Sequence, residues 1–178
     1  MFVKIGLSGL PSIGKTTTLL KTINILESQN FKIGGIVTEE VVEDSKKVGF
    51  YLLDWTTKEK KIFAHKDFQS RYRVGKYGLD IKLLEDLGIR ALEEAKEADV
   101  IVIDELGKME SESKKFVSEV KEILDMDKNI IITVHKKSRN SLLQEIRRRD
   151  DIRILEVTQV NRNVLPFKIV SLIKGERV

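Results

Sequence analysis

Short apolar runs alternate with longer stretches of helical period along this chain. Residues 2–7 form an apolar run of strand length. From 15 to about 28, Leu19, Leu20, Ile23 and Leu26 recur at helical spacing, and Asn30 ends the pattern. Residues 32–38 read as a second strand, in which Gly34 and Gly35 permit a bulge or a close backbone approach. Residues 49–54 read as a third strand, with polar 43–47 as the turn of a hairpin. Residues 58–65 and 71–77 carry weaker strand patterns. A helix is expected over 82–98, with Gly88 as its weak point. Residues 100–104 are four aliphatic positions closed by an acid, as in a central parallel strand. An amphipathic helix over 112–124, a strand over 129–134, a helix over 138–149, a strand over 152–157 and a helix over 163–173 complete the chain.

This alternation predicts an α/β fold with a mostly parallel sheet flanked by helices. The segment from about 38 to 77 breaks the rhythm and reads as an antiparallel hairpin insertion. No repeat, linker or low-complexity stretch divides the chain, so residues 1–178 are expected to form one domain.

Composition narrows the function classes. There is no cysteine, which excludes disulfides, thiol catalysis and cysteine-ligated zinc. The hydrophobic fraction of 41% suffices for a core. Charged residues reach 34%, yet the net charge is only +4. Such a balance suits anionic ligands without calling for nucleic acid. No apolar run has the roughly 20 residues of a membrane span. The expectation is a cytoplasmic monomer, with nucleic acid permitted as a partner but not required.

The chemistry concentrates first at Gly9-Leu10-Pro11-Ser12-Ile13-Gly14-Lys15-Thr16, which matches G-x-x-x-x-G-K-[ST] at every fixed position. A strand precedes it and a helix follows. Glycines let such a loop wrap with its N–H groups turned inward as an anion nest, and the helix N-terminus adds partial positive charge. Lys15 is then expected at the β- and γ-phosphates, the Thr16 hydroxyl on Mg²⁺ and Thr17 near the α-phosphate.

Turnover needs a second group of residues. Asp104 ends the aliphatic run, where an acid faces the ligand crevice of an open α/β sheet. It is the expected second protein partner of Mg²⁺. Glu105 follows directly and is the candidate either to accept a proton from the attacking water or to orient that water. An Asp-Glu pair at this place marks the branch of phosphate-loop proteins with a further strand between the loop strand and the acidic one. The strand over 129–134 fits that position, with Thr133 as a polar sensor. Lys108 is a candidate phosphate screen or loop anchor. Phe50 and Tyr77 are candidates for base stacking, with core packing favoured for Phe50. Arg139, Arg147, Arg148, Arg149 and Arg162 are candidates for the charge that develops at the γ-phosphate. His65, His135 and Trp55 read as structural.

With these motifs in place, the chain resembles the THEP1 nucleoside-triphosphatases, also described as cancer-related nucleoside-triphosphatases in animals. The resemblance runs nearly end to end. It rests on "GLPSIGKTT", "GGIVTEEV", "VGF", "RVGKY", "VIDELGKME", "EIRRRDD" and "VTQVNRN". It implies a RecA-like phosphate-loop fold and slow, Mg²⁺-dependent hydrolysis of ATP, GTP, CTP and UTP with little base selectivity. Arg162 falls on the family's Asn-Arg and is the arginine expected at the nucleotide. Ser12 departs from the family pattern, which often has glycine there. Two other readings stay open: a kinase of a nucleotide or other small molecule, and a nucleotide-driven switch associated with nucleic acid.

Overall fold

The computed structural model describes residues 1–104 and 113–176. Strands β1 (Lys4–Gly9), β2 (Ile33–Glu43), β3 (Lys46–Asp54), β4 (Lys60–His65), β5 (Arg73–Val74), β6 (Tyr77–Leu79), β7 (Val100–Ile103), β8 (Asn129–His135) and β9 (Ile152–Glu156) join in one sheet. Its order is β5-β6-β4-β3-β2-β7-β8-β1-β9. The pairs β2–β7, β7–β8, β8–β1 and β1–β9 are parallel, and the pairs from β2 outward through β3, β4, β6 and β5 are antiparallel. The α/β class and the antiparallel insertion are therefore both present, and β8 lies between β1 and β7.

Helices α1 (Lys15–Ser28) and α6 (Leu165–Ile173) cover one face. The other face carries α2 (Ile81–Leu83), a π-helical turn (Leu84–Gly88) continuing into α3 (Ile89–Ala95), α4 (Lys114–Leu124) and α5 (Ser141–Arg148). Alternate residues of β7 supply the two cores. Val100 and Val102 pack with Leu19, Ile23 and Ile169, while Ile101 and Ile103 pack with Leu92, Phe116 and Ile146. Burial on both faces is why this strand is continuously aliphatic rather than alternating.

The second strand is longer than its hydrophobic pattern predicts. Ile33–Ile36 pair with β7, and from Ile36 onward the same strand pairs with β3 as far as Glu43. Its outer half is only partly buried, so the apolar signal fades while the backbone ladder continues. At the crossover Gly35 has φ 126°, and a Cβ there would lie 1.9 Å from the Val102 carbonyl oxygen. Only glycine lets the two strands approach so closely.

Candidate active site

The fold brings the loop, the acidic strand end and the hairpin strand to one edge of the sheet. Gly9 ends β1 and residues 10–14 turn into α1. Gly14 precedes the helix with φ 111°, a conformation that side chains rarely allow. Ser12 also has a left-handed φ of 62°. The exception to the glycine pattern thus bears strain that glycine would not, on the order of 1 kcal/mol. Lys15 donates from Nζ to the carbonyls of Gly9 at 2.8 Å and Leu10 at 3.2 Å. The Ile13 N–H also donates to Leu10, at 3.3 Å. Ile13 packs its side chain against the α1 core, Leu10 is exposed and so is Pro11.

Asp104 is the hub. It is 2% exposed and accepts from groups on three other elements. Thr16 of α1 donates from its hydroxyl to Oδ1 at 3.2 Å and Oδ2 at 3.1 Å. Thr38 of β2 donates to Oδ2 from its hydroxyl at 2.7 Å and from its backbone N–H at 3.0 Å. Thr133 of β8, itself fully buried, donates to Oδ1 at 2.8 Å. Burial pushes the Asp104 carboxyl above the usual carboxylate range, and the donors from Thr38, Thr133 and Thr16 oppose that shift. Thr133 therefore supports the carboxylate. A buried carboxylate beside a threonine hydroxyl is a hard-oxygen donor set, the kind that suits Mg²⁺.

Arg162, in the turn after β9, reaches the loop and donates from Nη1 to the Ile13 carbonyl at 3.4 Å. With Gly14, Thr17, Lys21 and Asn163 it lines a small pocket of about 240 Å³. Thr17 also borders a larger groove of about 620 Å³ on the opposite side, with Thr16, Thr38, Phe50 and Trp55 on its walls. Glu105 and Lys108 lie outside the described residues.

The other candidates separate clearly. Arg147 clips the carbonyls of Ser138, at 2.7 Å, and His135. Arg149 bridges Asp125 at 2.7 Å and Asp151 at 2.8 Å, so it staples α4 to the start of β9 rather than facing the loop. Tyr77 meets Phe50 edge-on at 5.5 Å and packs with the core. The sequence pattern does not single out Thr38, whose role requires β2 to run beside β7, or Lys21, one helical turn beyond Thr17. Trp55 lies in the turn after β3, and the fold also sets it in the groove wall.

A family model described as NTPase matches residues 4–170. The nucleoside-triphosphatase THEP1 of Picrophilus torridus is 43% identical over 175 residues, covering 98% of this chain and 97% of that protein. The nucleoside-triphosphatase THEP1 of Thermotoga maritima is 41% identical over 176 residues, covering 98% of each. The crystal structure of THEP1 from Aquifex aeolicus superposes with a TM-score of 0.85 at 38% identity, covering 97% of this chain and 99% of that one. The solution structure of a human cancer-related nucleoside triphosphatase gives 0.84 at 30% identity, covering 99% and 100%.

Proposed function

The chain belongs to the THEP1 nucleoside-triphosphatase family, and from that membership we propose that it hydrolyses nucleoside triphosphates to diphosphate and phosphate with Mg²⁺ and little choice among bases. The observation that carries the reading is Asp104, held by hydroxyls of Thr16, Thr38 and Thr133 beside the phosphate loop.

Thr16 and Asp104 are the residues that would hold Mg²⁺, which neutralises phosphate charge when bound. Loop amides and Lys15 take the β- and γ-phosphates. The metal-holding end points toward β2, β7 and β8. The α-phosphate, ribose and base therefore run the other way, past Thr17 toward Lys21, Arg162 and Asn163. Arg162 offers a flat cation to any base, which supports broad tolerance. Glu105 accepts a proton from water as its oxygen bonds to the γ-phosphorus. The bond to the bridging oxygen breaks, and the diphosphate leaves.

The test is phosphate release from ATP, GTP, CTP and UTP, with and without Mg²⁺. Comparable release from all four, lost on chelation, is expected. Release unaffected by chelation would remove the metal assignment. Glu105→Gln should lower turnover by about 10²–10⁴ while nucleotide affinity holds. Wild-type turnover in that variant would take Glu105 out of the role.

A further inference from the structure

In the orientation proposed above, the groove bordered by Thr16 and Thr38 is not filled by the triphosphate. At about 620 Å³ it is within the range of small-molecule sites. Leu20, Leu53 and Trp55 supply its apolar walls and Glu39 a carboxylate, while Phe50 and Glu40 border it from the far face of the hairpin. Thr16 and Thr38, both bonded to Asp104, close its inner end. By contrast, the pocket on the β9 side is small and carries Lys21 and Arg162. The two flank Thr17 with opposite chemistry.

We propose that this groove is a second-ligand site for a nucleoside bearing an exocyclic amino group, occupied together with the triphosphate. The inference rests on the orientation proposed above, with the metal end of the triphosphate toward β2. The Trp55 indole suits a planar base, since every base presents a π-face. Trp55 is fixed for this role. Its indole N–H donates to Glu27 at 3.4 Å, and Lys58 Nζ sits 3.2 Å from the ring centroid. Glu39 pairs through Oε2 with Lys60 at 3.3 Å, while Glu40 turns to the other face of the hairpin, where it pairs with Lys47 at 3.4 Å. Glu39 shares its face of the hairpin with Val37 and Leu53, and its carboxylate is the acceptor offered to an incoming N–H donor. An uncharged base with an amino group fits such a wall, whereas a further phosphate meets the Glu39 carboxylate. The ribose end then lies toward Thr16 and Thr38, next to the γ-phosphate.

Trp55 is the single tryptophan of the chain, so its emission reports on the groove. Calorimetry first establishes binding of Mg²⁺ and a non-hydrolysable ATP analogue. Adenosine is then titrated into the saturated complex while Trp55 emission is followed. A saturable change is expected, with the analogue retained. Purine riboside, which is adenosine without its amino group, should bind about tenfold more weakly. Leu20→Phe, which narrows the groove, should abolish the adenosine response while the analogue still binds. If adenosine displaces the analogue, the groove is the substrate's own base site and the proposal fails. It fails equally if Trp55 does not respond while calorimetry shows the analogue bound. If the analogue itself does not bind, the parent reading falls, and this one with it.

Discussion

Asp104 is acceptor to three threonine hydroxyls and one backbone N–H, and these four donors compensate a carboxylate with almost no access to water. Removing one leaves a buried acceptor partly unsatisfied, at about 1–3 kcal/mol. Thr38→Val keeps the backbone bond and loses the hydroxyl. We expect the Mg²⁺ concentration for half-maximal activity to rise about tenfold, with Thr38→Ser restoring it. A metal titration of phosphate release checks both. Ser12 gives the opposite kind of expectation. Its φ of 62° is one that glycine adopts freely. Ser12→Gly should thus raise the unfolding free energy by up to about 1 kcal/mol, because relief of strain exceeds the added chain entropy. Denaturant unfolding measures the change, and a loss of stability would mean that the serine hydroxyl outweighs the strain.

At the scale of elements, Gly88 shows how packing overrides propensity. It lies in the π-helical turn before α3, where a Cβ would fall 2.9 Å from the Phe116 ring. Phe116 is fully buried and cannot move aside. Gly88→Ala should therefore destabilise by about 1–3 kcal/mol, although propensity alone predicts a gain. Helices α3 and α4 also meet through charge. Glu119, 8% exposed, faces Glu93 of α3 and Lys96 just beyond that helix, with Lys96 Nζ 3.4 Å from Glu119 Oε1 and 3.0 Å from Glu122 Oε1, both carboxylates being on α4. Burial, then Glu93, pushes the Glu119 carboxyl up to about 7. Glu93 is held below its ordinary value and Lys96 above its own. A carboxyl that holds its proton more tightly in the fold stabilises it while protonated. That contribution is complete below the ordinary value of 4.5 and is lost as pH rises through about 7. Glu119→Gln mimics the protonated form. Its melting temperature should exceed wild type at pH 8, with the difference shrinking toward pH 5.

Across the whole molecule, the sheet order places β2 beside β7, and so turns a strand end, a helix start and a hairpin into one site. Occupancy of that site should stabilise the entire fold. A non-hydrolysable triphosphate at a hundred times its Kd with Mg²⁺ adds about 2.7 kcal/mol, read as a shift in the unfolding transition. Among the described residues no helix is long and apolar enough to cross a membrane. Local chemistry made much of this legible in advance. The loop from Gly9 to Thr16 is contiguous, and its glycines, lysine and threonine carry their roles in their spacing. Asp104 was visible because burial on both faces makes its strand uniformly aliphatic up to the acid. The α/β class followed from the alternation of period. Thr38 was not legible, because a threonine in a strand is ordinary until a neighbouring strand brings a carboxylate 2.7 Å away. Trp55 and Lys21 were hidden for the same reason: the groove and the pocket are walled by residues distant in the chain. The sequence alone determined the loop from Gly9 to Thr16 between a strand and a helix, since its groups are neighbours along the backbone. Only the tertiary structure decided that Asp104 meets Thr16, Thr38 and Thr133 beside that loop, because that depends on the order of strands in the sheet.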